Sequence, residues 1–489
     1  MVLPACGARV VGLLVAHRVA SLATVELSTE IAPSTGSAGL ERDEPRPRLA
    51  LVVCAPLVGR ARSVSGPCTE PEVRSAGMND WDGYGLRTSG GLSGYSRIER
   101  PPGLLADFIS GYEERTARPL VGITTDGTHG DLGLPAGGVE TGPIVDAGHG
   151  LLSVLDDHQR QRLCLPIDAP DKRQWLNIHP NVLRHGLLLA DLSRAARQAA
   201  MAVMEATLSA RGYRQARDIM RLNGLLVELT GRADDFGEWP YFFSFFGLPS
   251  ADEPWAWQID GHHLNLNCFV AGDRMVLTPS FMGSEPCRVA EGTLAGTQVM
   301  VDEERVGLEL IRALDDGQLT TAVLRQSIHP DDLPLDLQHP IDGRMVAGAF
   351  KDDAVIGYEG IRGDGLSEPQ RALLERVVAA YVGWSRDDQA RIKMSEASAL
   401  LDETHFAWMG GRGDDDPFYY RVHSPLLLIE FDHHPGIVWD NTMPSRNHIH
   451  SVMRTPNGGD YGTDVLAEHY ERYDHSTGRH RPHAGHRHD

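Results

Sequence analysis

The chain has 489 residues and carries 67 Asp and Glu against 46 Lys and Arg, a formal charge of -21. Such an excess of negative charge argues against nucleic acid and anionic membrane surfaces as partners, because both reward positive surface. Six cysteines without a C-x-x-C pair exclude a thiolate zinc site and a dithiol redox motif, and they fit a reducing, cytoplasmic location.

The first 77 residues contain no Phe, Tyr, Trp, Lys, Asn or Gln. A stretch without aromatics rarely builds a core, so residues 1–77 are expected to be a disordered or non-native extension. Two apolar patches, at 10–15 and 49–58, read neither as a signal peptide nor as a membrane span. From Met78 the composition becomes that of a folded protein, and a single large α+β domain is expected over 78–465.

Within that domain, residues 103–117 predict a short helix, and the Gly-rich stretch 120–150 predicts loops and short strands. Asp156 followed by Gln159 forms a capping box, in which the carboxylate takes an orphan N–H and the amide returns the favour. It should open a helix through about Leu163. Leu192, Ala196, Ala199, Val203 and Ala206 mark one helical stripe, and Ile219, Leu222, Leu226 and Leu229 mark a second, with Gly212 expected between them. Together these predict a helical subdomain over about 151–235.

A sheet portion is expected over about 236–465, with inserted helices at 303–315 and 367–401, the second opened by a Ser367/Gln370 capping box. Residues 238–286 are rich in aromatic and β-branched side chains broken by Pro and Gly, which predicts antiparallel strands. In HHLNLNCF the period is two, with Leu264 and Leu266 on one face and His263, Asn265 and Asn267 on the other. The aromatics from Trp239 to Trp257 read as core. Strands are expected again from Thr404, and the nearly continuous apolar run ending at Asp432 suits a central strand. NHIHSVMR places His448, His450 and Arg454 on one strand face. Residues 466–489 read as a disordered, His-rich tail.

The chemistry concentrates in histidines at strand ends. An H-x-H pair on a strand lets two imidazoles reach one ion at about 2.0–2.1 Å, although the same pair also suits a hydrogen-bonded sheet edge. Adding residues brought from other strands predicts a divalent metal site with His448, His450 and either His263 or His405 as ligands, and Asp432 as a fourth ligand or orienter. His262 or Glu285 is the expected general base, and Arg454 the anchor for a small organic substrate. Zinc, and with it hydrolysis by activated water, is the first expectation; iron or copper with O₂ is the alternative, and a non-catalytic ligand- or metal-binding protein is a third. No G-x-S-x-G elbow, Walker loop or H-E-x-x-H motif points elsewhere.

The motifs EWPYFFSFFG, WAWQIDGHHLNLN, LTPSFMGSEP, DETHFAWMGG, PFYYRVHSPLLLIEFDHHPGI and NHIHSVMRTPNGGDYG resemble a family catalogued as domain of unknown function 3500. The likeness covers roughly 103–462. It implies that His262, His263, Glu285, His405, Asp432, His448, His450 and Arg454 are the positions to carry over, whereas His423 and His433 belong to one branch. It implies no particular activity.

Overall fold

The computed structural model describes residues 104–474 and 481–482, apart from 131–132, 180, 182, 234, 339–342, 437–440 and 442. The expected extension at 1–77 lies outside the described residues. The fold is α+β. Among the described residues its centre is a mostly antiparallel sheet of 13 strands. In chain order these are β1 Cys164–Leu165, β2 Leu187–Leu188, β3 Phe242–Phe246, β4 Trp255–Gly261, β5 Leu264–Ala271, β6 Arg274–Val276, β7 Ser280–Ser284, β8 Val323–Arg325, β9 Ile361–Arg362, β10 His405–Gly410, β11 Phe418–Ser424, β12 Leu427–Pro435 and β13 Pro444–Arg454. Their spatial order is β1-β3-β4-β5-β7-β13-β12-β11-β10-β8, with β2, β6 and β9 pairing beside β3, β5 and β10.

Alternation along the strands gives the sheet two unlike faces. Phe243, Phe245, Trp257, Ile259, Met282, Ile429, Phe431, Ile449, Phe406 and Trp408 join helix residues such as Met204, Leu222, Leu310 and Leu374 in the main apolar core. The opposite face carries Ser244, Gln258, Asp260, Asn265, Asn267, Glu430, Asp432, His450 and Arg454, all buried. Connecting segments cover that face, where Trp175, Leu176, Met345, Ala347 and Tyr461 form a smaller apolar cluster with Phe281, Leu428 and Val452. Buried polar groups demand partners, so this second face is where chemistry can be housed.

Local signals place several helices as expected. Asp156 and Gln159 form their capping box ahead of helix Asp157–Leu163, and Ser367 and Gln370 do the same ahead of Glu368–Val382. The hairpin of helices Arg194–Thr207 and Ala210–Thr230 breaks at Leu208 and Ser209, not at Gly212. Ser209 caps the second helix by accepting from Gly212 N–H, whereas Gly212 serves packing, since a Cβ there would stand 2.2 Å from the Trp384 carbonyl oxygen.

Two segments depart from expectation. Residues 142–150, expected as loops and short strands, belong to helix Gly142–Ser153, started by Pro143 and fixed by buried Ile144, Val145 and Leu151. The expected tail is helical at its start. Helix Thr463–Arg472 buries Val465, Leu466 and His469, and its apolar side meets Phe246, Phe269 and Val276. Among the described residues no helix is long and apolar enough to cross a membrane.

Candidate metal centre

The site forms where the β4–β5 hairpin reaches β13. Gly261 pairs with Leu264, so His262 and His263 are the two turn residues and not part of the strand. His263 has φ 62, the left-handed region that residues with a Cβ occupy at a cost of roughly 1–3 kcal/mol. That conformation is retained at the tip that aims the His263 ring towards β13. On β13, His448 and His450 lie two residues apart on one face, and Gly283 of β7 sits opposite His450.

The three imidazoles converge on one point. His263 Nε2 lies 3.1 Å from His448 Nε2 and 3.1 Å from His450 Nε2, and the last two are 3.0 Å apart. All three side chains are buried. His448 Nδ1 is 2.6 Å from the Pro435 carbonyl oxygen, an acceptor only, so the proton belongs on Nδ1 and the Nε2 lone pair faces the centre. Burial, reinforced by the neighbouring imidazoles, holds His263 and His450 well below the ordinary histidine range. With its Nε2 lone pair turned inwards, His448 can accept an N–H from a neighbouring ring or share a cation with both. This group can hold a metal ion.

A second ring of groups surrounds the triad. His262 stacks on His263 at 3.9 Å between centroids, and its Nδ1 is 2.7 Å from Asn223 Oδ1. Glu285 Oε2 approaches His448 Nδ1 at 3.7 Å. His434 packs 3.9 Å from His450, centroid to centroid, and its Nε2 stands 2.8 Å from Asp432 Oδ2 without hydrogen-bonding alignment. Arg344 Nε donates to Asp432 Oδ1 at 2.7 Å. Asp432 thus lies beside the triad but outside the ligand group, its carboxylate turned to Arg344.

His405 is not brought to this centre. It pairs with His423, which pairs with Leu428, which pairs with Arg454. His450 instead aligns through Asp432 and Tyr419 with Met409, so His405 is four residues further along β10, roughly 13 Å at about 3.4 Å per residue, and three strands away. Its ring stacks on Tyr358 at 4.7 Å.

Arg454 is not placed to anchor a substrate. It is fully buried and donates to Asp460 at 2.7 Å, to Asp352 at 2.6 Å and to the Ala347 and Gly348 carbonyls. Strand alternation puts Arg454 on the histidine face, but four residues of strand carry it away from His450. Arg446 pairs with Glu304. Glu430 accepts from the N–H groups of Val346 and Ala347 and from the Tyr419 hydroxyl.

Sequence reasoning passed over His434 and Arg344 as site residues. Alternation from Asp432 along a strand would have put His434 on the same face. Nothing in the sequence marks Arg344, which reaches Asp432 from a loop without periodicity. His433, one residue out of phase, turns to the other face and meets Glu304 Oε1 at 3.1 Å.

No curated protein and no solved structure matches this chain. A family model described as "Protein of unknown function (DUF3500)" matches residues 137–463, more than half the chain and every residue of the triad and its surroundings. The chain belongs to the DUF3500 family.

Proposed function

We propose that this protein is a metal-dependent enzyme acting on a small organic substrate, with His263, His448 and His450 as ligands. The observation that carries the reading is the triangle of Nε2 atoms, 3.0 to 3.1 Å on each edge. Three neutral ligands leave the charge of a divalent ion undiminished, so a bound zinc would supply a Lewis acid and a water of lowered pKa. The chain's own residues orient the ligands. Pro435 fixes the His448 tautomer, His262 and Asn223 brace His263, and Asp432 with Arg344 backs His434 beside His450. Glu285 is buried, with Oε2 3.7 Å from His448 Nδ1 on the outer side of that ring, and in this reading it would serve as the general base. Hydrolysis is the reaction class we favour.

A second reading draws support from the triangle's size. An ion about 2.1 Å from each nitrogen would see these edges at angles of roughly 90°, the face of an octahedron with three adjoining positions open. That arrangement suits iron and oxygen chemistry. Metal analysis of the purified full chain, beside a His448→Ala, His450→Ala variant, tests both. One equivalent of zinc lost in the variant supports the hydrolase, and one equivalent of iron or copper supports the oxygen-using enzyme. Equal metal in the two proteins, or none in a folded wild type, would sink the metal-centre reading and leave a non-catalytic binding protein.

A further inference from the structure

Four arginines of the described chain are buried, Arg173, Arg344, Arg421 and Arg454. Three of them use all three side-chain nitrogens: Arg173, Arg344 and Arg454. Arg421 does not. At 3% exposure, its one hydrogen bond runs from Nη2 to Glu359, and its Nε has no partner. A buried guanidinium carries five N–H donors, and leaving most of them unused is expensive unless something else fills the place.

The surroundings say what would fill it. Arg421 lines a cavity of about 530 Å³ together with Arg325, Asp336, Gly357, Glu359 and Tyr419. Two residues along β11, His423 is 1% exposed and neither of its ring nitrogens has a hydrogen-bond partner. Tyr358 lies over this strip, its ring 4.6 Å from His423 and 4.7 Å from His405. Polar groups with unused capacity thus line one strand face beneath an aromatic ring. Glu430, the cross-strand partner of Arg421, spends its oxygens on Val346, Ala347 and Tyr419, and the carboxylate that hydrogen-bonds Arg421 belongs to a half-exposed side chain, Glu359, which sits where a ligand carboxylate would.

We propose that this cavity is a second ligand site, for a small organic carboxylate gripped by Arg421, with Glu359 as the group it displaces. A guanidinium fork accepts a planar carboxylate through two parallel bonds. Arg325 adds positive charge at the rim, and Leu337, Ile356 and Met409 of the lining offer apolar surface for the ligand's body. Asp336 and Glu359 flank the cavity and repel a dianion, which favours a monocarboxylate over phosphate. No triad histidine lines the cavity, and Arg344, which does, is committed to Asp432, Ile328 and His433, so the ligand-gripping group is Arg421 whether or not the triad holds a metal.

Calorimetric titration of the full chain, stripped of metal by chelator, with benzoate, acetate and phosphate tests the proposal. Benzoate should bind with a Kd of about 1 mM or tighter, Arg421→Gln should weaken it about tenfold or more, and Glu359→Gln should tighten it. If Arg421→Gln fails to fold, Arg325→Gln serves instead and should also weaken binding. No carboxylate binding by folded wild-type and Glu359→Gln proteins overturns the site, because ordered water then satisfies Arg421. Preference for phosphate, or affinity indifferent to these substitutions, overturns it equally.

Discussion

Asp432 and His450 are cross-strand partners on β12 and β13, yet only the imidazole joins the triad. Arg344 accounts for the difference, because its Nε takes Asp432 Oδ1 at 2.7 Å and leaves Oδ2 beside His434. Burial pushes the Asp432 carboxyl up, and Arg344 opposes that push. The carboxylate is therefore a positioning group. Asp432→Asn should keep one metal per chain but weaken its retention about 10–100-fold in chelator competition, the usual effect of an outer-shell change. Complete loss of metal would instead make Asp432 a ligand.

The left-handed turn at His263 separates function from stability. His263→Gly and His263→Ala both remove the ring and should both lose the metal. Only glycine accepts φ 62 freely, so the Gly variant should unfold about 1 kcal/mol later than the Ala variant in urea titration. Equal stabilities would contradict the strain assigned to this turn.

Arg454 belongs to an ion cluster with Asp352 and Asp460, all buried. Arg454→Ala strands Asp460 and leaves Asp352 with only Arg173 and Tyr461, and it should lose roughly 3–5 kcal/mol, appearing as poor soluble yield or a sharply lowered Tm. A well-folded Arg454→Ala protein with impaired substrate binding would restore the substrate-anchor role expected from the sequence.

His405 lies far from the triad by strand register. His405→Ala should leave metal content at the wild-type level, as read by elemental analysis of the folded protein. Metal loss in that variant would show that the register argument misplaces the site.

Burial, with Arg421 and His405 nearby, lowers His423 to about 3. The unfolded chain protonates near the ordinary histidine value of about 6.5, so below that pH the unfolded state binds the extra proton and stability falls as pH drops towards 3. Replacing His423 with Asn should remove about one proton from the dependence of stability on pH between roughly 6 and 4, a slope change of roughly 1 kcal/mol per pH unit. Unchanged slope in denaturant titrations would show that His423 is not buried neutral.

Legibility followed interaction range. Capping boxes at Asp156 and Ser367 were readable because both partners lie within one turn of the same helix. The H-x-H pair of His448 and His450 was readable for a similar reason, since a period of two on a strand fixes a shared face. Helix Gly142–Ser153 was missed among glycines because its apolar residues, not its propensity, hold it down. The hairpin turn at His262 and His263 read as strand because the alternation of Leu264 and Leu266 extends backwards without a break.

The sequence by itself determined which strand faces carry histidine and carboxylate, because side-chain direction follows from backbone periodicity alone. It also marked His263, His448 and His450 as candidates. Which of the eight site residues meet was decided only by the tertiary structure. Strand order and register sent His405 and Arg454 to the other end of the sheet and brought a tight turn against β13, while Arg344, from a loop without pattern, claimed Asp432. Those outcomes depend on contacts between residues far apart in the chain, and no local rule of spacing encodes them.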